Sequence, residues 1–82
     1  MNKPTLQKIP TDFLPENWAK TIGEELECSP NKIERVVYGL APVNKKNTAI
    51  WDRMVALAEQ GKLDFDQEAE QRANRLAALI NV

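Results

Sequence analysis

The sequence predicts an all-α fold, a small domain of four helices over about residues 15–26, 30–38, 47–60 and 65–80. Three observations predict it. Apolar residues recur at three- and four-residue intervals through most of the chain after residue 14, the spacing that lines one face of an α-helix. No run alternates apolar and polar as a half-buried strand does. Most of the five prolines and three glycines punctuate the periodic segments, where helix starts and stops are expected.

Residues 1–13 contain Pro4 and Pro10 and no sustained period. They read as an extended arm, mildly basic through Lys3 and Lys8, that folds loosely or only against a partner. From Pro15, a residue suited to a first helical turn, Trp18, Ile22 and Leu26 recur every fourth position with Ala19 and Gly23 beside them. Ser29-Pro30 starts the second helix: the serine hydroxyl caps free backbone N–H groups and proline has no N–H to satisfy. Ile33, Val36 and Val37 form its inner stripe and Gly39 sits where a C-terminal glycine ends it. Leu40 to Lys46, with Pro42, reads as a loop. Asn47 or Thr48 then caps a third helix with Ile50, Met54 and Leu57 inward, widened by Trp51, Val55 and Ala58. Gly61 closes it, and Asp64 or Asp66 opens a fourth in which Phe65, Ala69, Ala73, Leu76, Ala77 and Ile80 keep a helical period.

Composition narrows the function. The 82 residues suit one small core, and 43% hydrophobic with 28% charged residues is ordinary globular usage. A net charge of −1 and a pI near 5.4 argue against a generic polyanion binder. The charge is uneven, with nine basic against eight acidic side chains in residues 1–62 and two against four in 63–82. Any nucleic-acid contact is therefore expected from the first three quarters. With one cysteine, Cys28, and no histidine, no internal disulfide and no ordinary zinc site is expected. No cofactor, small-molecule substrate or metal is expected, and no enzyme: no nucleophile stands beside a base, and there is no glycine-rich phosphate loop. Neither a signal-peptide run nor a membrane-spanning stretch is apparent, so the expected place is the cytoplasm.

The informative arrangement is residues 18–39. Two short amphipathic helices separated by only Glu27, Cys28 and Ser29 must turn sharply, as in the motif that sets its second helix in the DNA major groove. Gly23 lets the helices approach, Cys28 plugs the turn, and Ile33 with Val36 pins the second helix to the first. Residues 14–62 then form the helix-turn-helix domain, and 63–82 a C-terminal helix that either completes the core or mediates dimerisation.

The run Ile22-Gly-Glu-Glu-Leu-Glu-Cys-Ser-Pro-Asn-Lys-Ile-Glu-Arg-Val-Val-Tyr-Gly39 resembles the helix-turn-helix of phage repressor and Cro proteins and of lac-repressor-type regulators. Their pattern is aliphatic, alanine, two variable, aliphatic, glycine, small apolar, serine or threonine, three variable, aliphatic. Ile22, Leu26, Cys28, Ser29 and Ile33 match it, and Asn44-Lys-Lys-Asn-Thr-Ala-Ile50 resembles the basic loop before their next helix. The resemblance covers about residues 15–60. Glu27 departs from it where the families favour glycine in the turn, at a strain of ~1–2 kcal/mol if the residue is left-handed. Gly23 replaces the usual alanine and keeps the small side chain.

The resemblance implies double-stranded DNA as the partner, Asn31 and Arg35 as the residues reaching base edges, and residues 30–38 as the recognition helix. Arginine suits guanine and asparagine suits adenine. Pro30 holds another base-reading position without a donor or acceptor in its side chain. Ser29, Lys32, Tyr38, Lys45 and Lys46 are candidates for phosphate contact, as are Asn17 and Lys20 near the start of the first helix. Trp18, Trp51 and Cys28 read as packing residues. Leu76, Leu79 and Ile80 exceed what so small a core needs and mark a candidate homodimer interface. The sequence thus points to a sequence-specific transcriptional regulator. Its acidic pI and Glu24, Glu25, Glu27 and Glu34 keep open an alternative, a protein-interaction module on the same scaffold: an adaptor, an antirepressor or a phage assembly component.

Overall fold

Ser29 and Pro30 begin a helix as their chemistry dictates. The Ser29 hydroxyl oxygen accepts from the Lys32 N–H at 3.3 Å and Pro30 takes the first helical position. In the computed structural model, which describes residues 4–80, this is the second of three helices: α1 (Trp18–Leu26), α2 (Pro30–Val37) and α3 (Lys45–Ile80). The chain is all-α. Lys3 and Val82, with the other residues outside 4–80, lie beyond the described residues.

Both ends of the α1–α2 unit close by the same device. After α2, Gly39 adopts φ 76° while its N–H donates to Val36 and the Leu40 N–H donates to Arg35, which satisfies two carbonyls the helix leaves free. After α1, Glu27 adopts φ 57° and the Cys28 N–H donates to Gly23 at 2.7 Å. The turn therefore demands a left-handed residue where glutamate stands. Glu27→Gly is expected to raise the urea midpoint by the equivalent of about 1 kcal/mol, because glycine removes the Cβ strain; an unchanged or lower midpoint would refute the strain.

Four helices are not what forms. The expected helices 47–60 and 65–80 are one, running through Gly61 without a break. A single glycine costs a helix only about 1 kcal/mol against alanine. Asp64 is not a cap but accepts from the Gln60 side chain one turn earlier at 2.9 Å. Gly61 is required for another reason: the arm crosses α3 there, and a Cβ on Gly61 would overlap the carbonyl oxygen of Phe13. α3 also begins earlier than expected. Asn44 accepts from the Asn47 N–H at 2.7 Å, so it is the cap, while Asn47 is buried and donates through Nδ2 to the Pro42 carbonyl at 2.9 Å. Lys45 and Lys46 accordingly lie on the first turn of α3 rather than in a loop. α1 begins at Trp18, not Pro15, because Asn17 is left-handed at φ 59°.

The core is Ile9, Ile22, Ile33, Val36, Val37, Ala41, Ile50 and Met54. Ile9 belongs to the arm, which is extended but not loose. The Leu6 N–H donates to Ala41 at 3.1 Å, the Ile9 N–H to Val37 at 2.8 Å, and the Val43 N–H to Pro4 at 3.0 Å. Trp51 Nε1–H donates to the Gln7 carbonyl at 2.9 Å. One buried isoleucine and these backbone bonds fix the arm without any periodic signal in its sequence.

Beyond Gly61 no described residue of α3 is buried. Residues 62–80 extend from the body for about 28 Å at 1.5 Å per residue, which gives the molecule its 64 Å long dimension. The helix does not complete the core. No helix among the described residues is long and apolar enough to cross a membrane.

Candidate nucleic-acid interface

α2 buries Ile33, Val36 and Val37 and turns its remaining face outward. At 100° per residue, Asn31 and Arg35 occupy the middle of that exposed face one turn apart. Pro30, Glu34 and Tyr38 border it on one side and Lys32 on the other. Arg35 sits in the last turn of α2, where a cation is favoured by the helix dipole. Its Nη2 lies 3.5 Å from the Leu40 carbonyl, a distance too long to hold the guanidinium firmly.

The two borders are made by different helices. On the α1 side, Asn17, Trp18 and Lys20 face Pro30, Glu34 and Tyr38 across an open groove of about 320 Å³. Trp18 and Tyr38 meet edge to face with ring centroids 6.0 Å apart, so Tyr38 is partly engaged in packing while remaining exposed. Lys20 and Glu34 stand in the same groove, which partly offsets the lysine's charge.

On the α3 side, Lys32 and Lys46 come together. The hydrogen-bonding approach of Lys46 holds the Lys32 amine below its ordinary 10.5, with desolvation and the like charge of Lys46 adding to it and Cys28 opposing. Among the described residues neither lysine forms an ion pair within 4 Å. Both stand in the first turns of their helices, whose free N–H groups carry partial positive charge. The sign follows directly. A base whose folded value lies below its unfolded value destabilises the fold while both forms are charged, and that cost fades only as pH rises through the lowered value toward 10.5. A phosphate oxygen placed between the two amines would be attracted to both.

The structure thus places Asn31 and Arg35 together, Lys32 with Lys46 on one flank, and Asn17, Lys20 and Tyr38 on the other. Lys45 is exposed on the same first turn as Lys46. Ser29 is occupied in capping, though its O–H remains able to donate. Leu76, Leu79 and Ile80 lie far along α3 and take no part in this surface. Of the motif's acids, Glu25 is engaged by Arg53, which contacts both carboxylate oxygens at 2.7 and 3.0 Å and lowers the glutamate's pKa. Glu24 and Glu27 remain exposed. Cys28 is half-buried in the turn, its thiol 3.4 Å from the Leu26 carbonyl. Gly23 is needed for this turn: a Cβ there would come within 2.7 Å of the Cys28 carbonyl oxygen.

Sequence reasoning named Lys32 and Lys46 separately and missed their convergence. Reading Asn44 rather than Asn47 as the cap would have moved Lys46 onto the helix end that faces α2. Among the described residues no three histidine, cysteine, aspartate or glutamate side chains gather as a metal site would require. Comparison with protein families, with curated proteins and with solved structures returns no match.

Proposed function

We propose that the chain is a sequence-specific, non-enzymatic DNA-binding regulator of phage-repressor type that lays α2 in the major groove. The observation that carries this reading is the arrangement of the α2 face: a central row with hydrogen-bonding side chains, Asn31 and Arg35, flanked by Lys32 and by Lys20 and Lys46 from the neighbouring helices. Major-groove readers need that order, because phosphates border the groove and base edges lie at its floor. The Lys32–Lys46 pair supports it further. Two ammonium groups at neighbouring helix starts concentrate positive charge where a phosphate oxygen would sit.

In this reading Arg35 and Asn31 read bases, Lys32, Lys45 and Lys46 hold one phosphate strand, and Asn17, Lys20 and Tyr38 approach the other. The test is retention of sheared genomic DNA at ~50 mM and ~200 mM salt with sequencing of what is kept, because phosphate-based binding weakens steeply over that range. Enrichment of a short site is expected. Lys46→Gln should weaken all sequences alike and reduce the salt slope by about one, whereas Arg35→Ala should cost about tenfold and relax one position of the site. Lys46→Gln should also leave the fold as stable or more stable, since it removes a repulsion. No retention at either salt would overturn the DNA reading.

A further inference from the structure

The face of α3 that buries Ile50 and Met54 does not end where the body ends. Continued at helical spacing it runs through Ala58, Phe65, Leu76 and Leu79, with Arg72 on the same line and Ala69 and Ile80 at its margin. Phe65 still meets the arm, its ring 5.7 Å from that of Phe13. Leu76, Leu79 and Ile80 are 58%, 75% and 71% exposed. A solitary helix of this length is marginal in water, and an apolar stripe along it favours a second surface.

The charge pattern states which surface. Asp64, Asp66, Glu68 and Glu70 occupy the first half of residues 62–80 with no cation after Lys62, and Arg72 and Arg75 occupy the second half with no acid. Two copies side by side in the same direction would set four carboxylates against four. In opposite directions, crossing near residues 70–71, each acidic half meets the other copy's arginines. The same overlap carries each helix end to the other copy's Lys62. Beside Lys62 lies an open, mainly apolar groove of about 440 Å³ between the arm and α3, lined by Ile9, Pro10, Phe13, Trp51, Val55 and Ala58 among others.

We propose that the chain forms a homodimer in which residues 62–80 of two copies pair antiparallel, with Leu79 and Ile80 of each copy seated at the arm–α3 groove of the other. The pairing does not depend on DNA, so its test uses none and fails separately from the regulator reading. Sedimentation of the full chain is expected to give twice the 9.3 kDa chain mass. Leu76→Asp with Ile80→Asp should weaken association about thirtyfold or more. Arg72→Glu with Arg75→Glu should weaken it too, and circular dichroism should show the body folded in both variants, since these side chains are exposed in the single chain. Orientation is read from spin labels at Gln60→Cys and, separately, Asn74→Cys in a Cys28→Ser background. Antiparallel pairing puts the two position-60 labels farther apart than the two position-74 labels by about 15 Å or more, from 1.5 Å rise per residue. A monomer at tens of micromolar, a dimer unaffected by these substitutions, or equal label distances would each overturn the proposal.

Discussion

Gly61→Ala is expected to lower the unfolding free energy by about 2 kcal/mol, although alanine is the better helix former. The sign carries the information. If Gly61 only punctuated a helix, alanine would add about 1 kcal/mol through propensity. Because the Phe13 carbonyl occupies the space a Cβ needs, the arm must lift instead, which loosens Ile9 in the core and the Trp51–Gln7 hydrogen bond. Urea unfolding followed by circular dichroism measures it, and a raised midpoint would mean that the arm does not cross α3 at this residue.

The second large effect is at Met54, fully buried between α3 and the rest of the core. Met54→Ala should cost about 3 kcal/mol, the usual loss when a long apolar side chain leaves a cavity. An 82-residue chain has a total stability of roughly 4–12 kcal/mol at typical values per residue, so this one substitution removes a large share. A loss under 1 kcal/mol in the same urea experiment would show that the core closes over the gap and that α2 is held elsewhere.

How legible the molecule is in its sequence differs by element. α2 reads correctly at both ends because Ser29, Pro30 and Gly39 act locally: a cap, a fixed φ and a left-handed residue need no distant partner. The left-handed turn at Glu27 was legible for the same reason, through the position the resemblance reserves for glycine. Gly61 misled because its cause is not local. It accommodates a strand of backbone nearly fifty residues earlier in the chain, which no periodicity can report. The arm was opaque on the same ground, since backbone bonds from Leu6 and Ile9 to Ala41 and Val37 leave no side-chain pattern. For the interface, Asn31 and Arg35 came from the resemblance to known helix-turn-helix regulators, and helical spacing agrees in putting both on the outer face of α2. The meeting of Lys32 with Lys46 required knowing where α3 begins, and that turned on which of two asparagines caps it.

The unbroken course of α3 makes it a ruler. In the proposed antiparallel pair, Ile50, which shares the core with α2, would lie about 21 residues from the crossing point. At 1.5 Å per residue, doubled across the two-fold axis, that pairing would set the two α2 helices about 60 Å apart. One turn of B-DNA advances about 34 Å, so the separation approaches two turns rather than one. A break at Gly61 would have left the two bodies of such a dimer on a joint; the continuous helix would fix the distance between them.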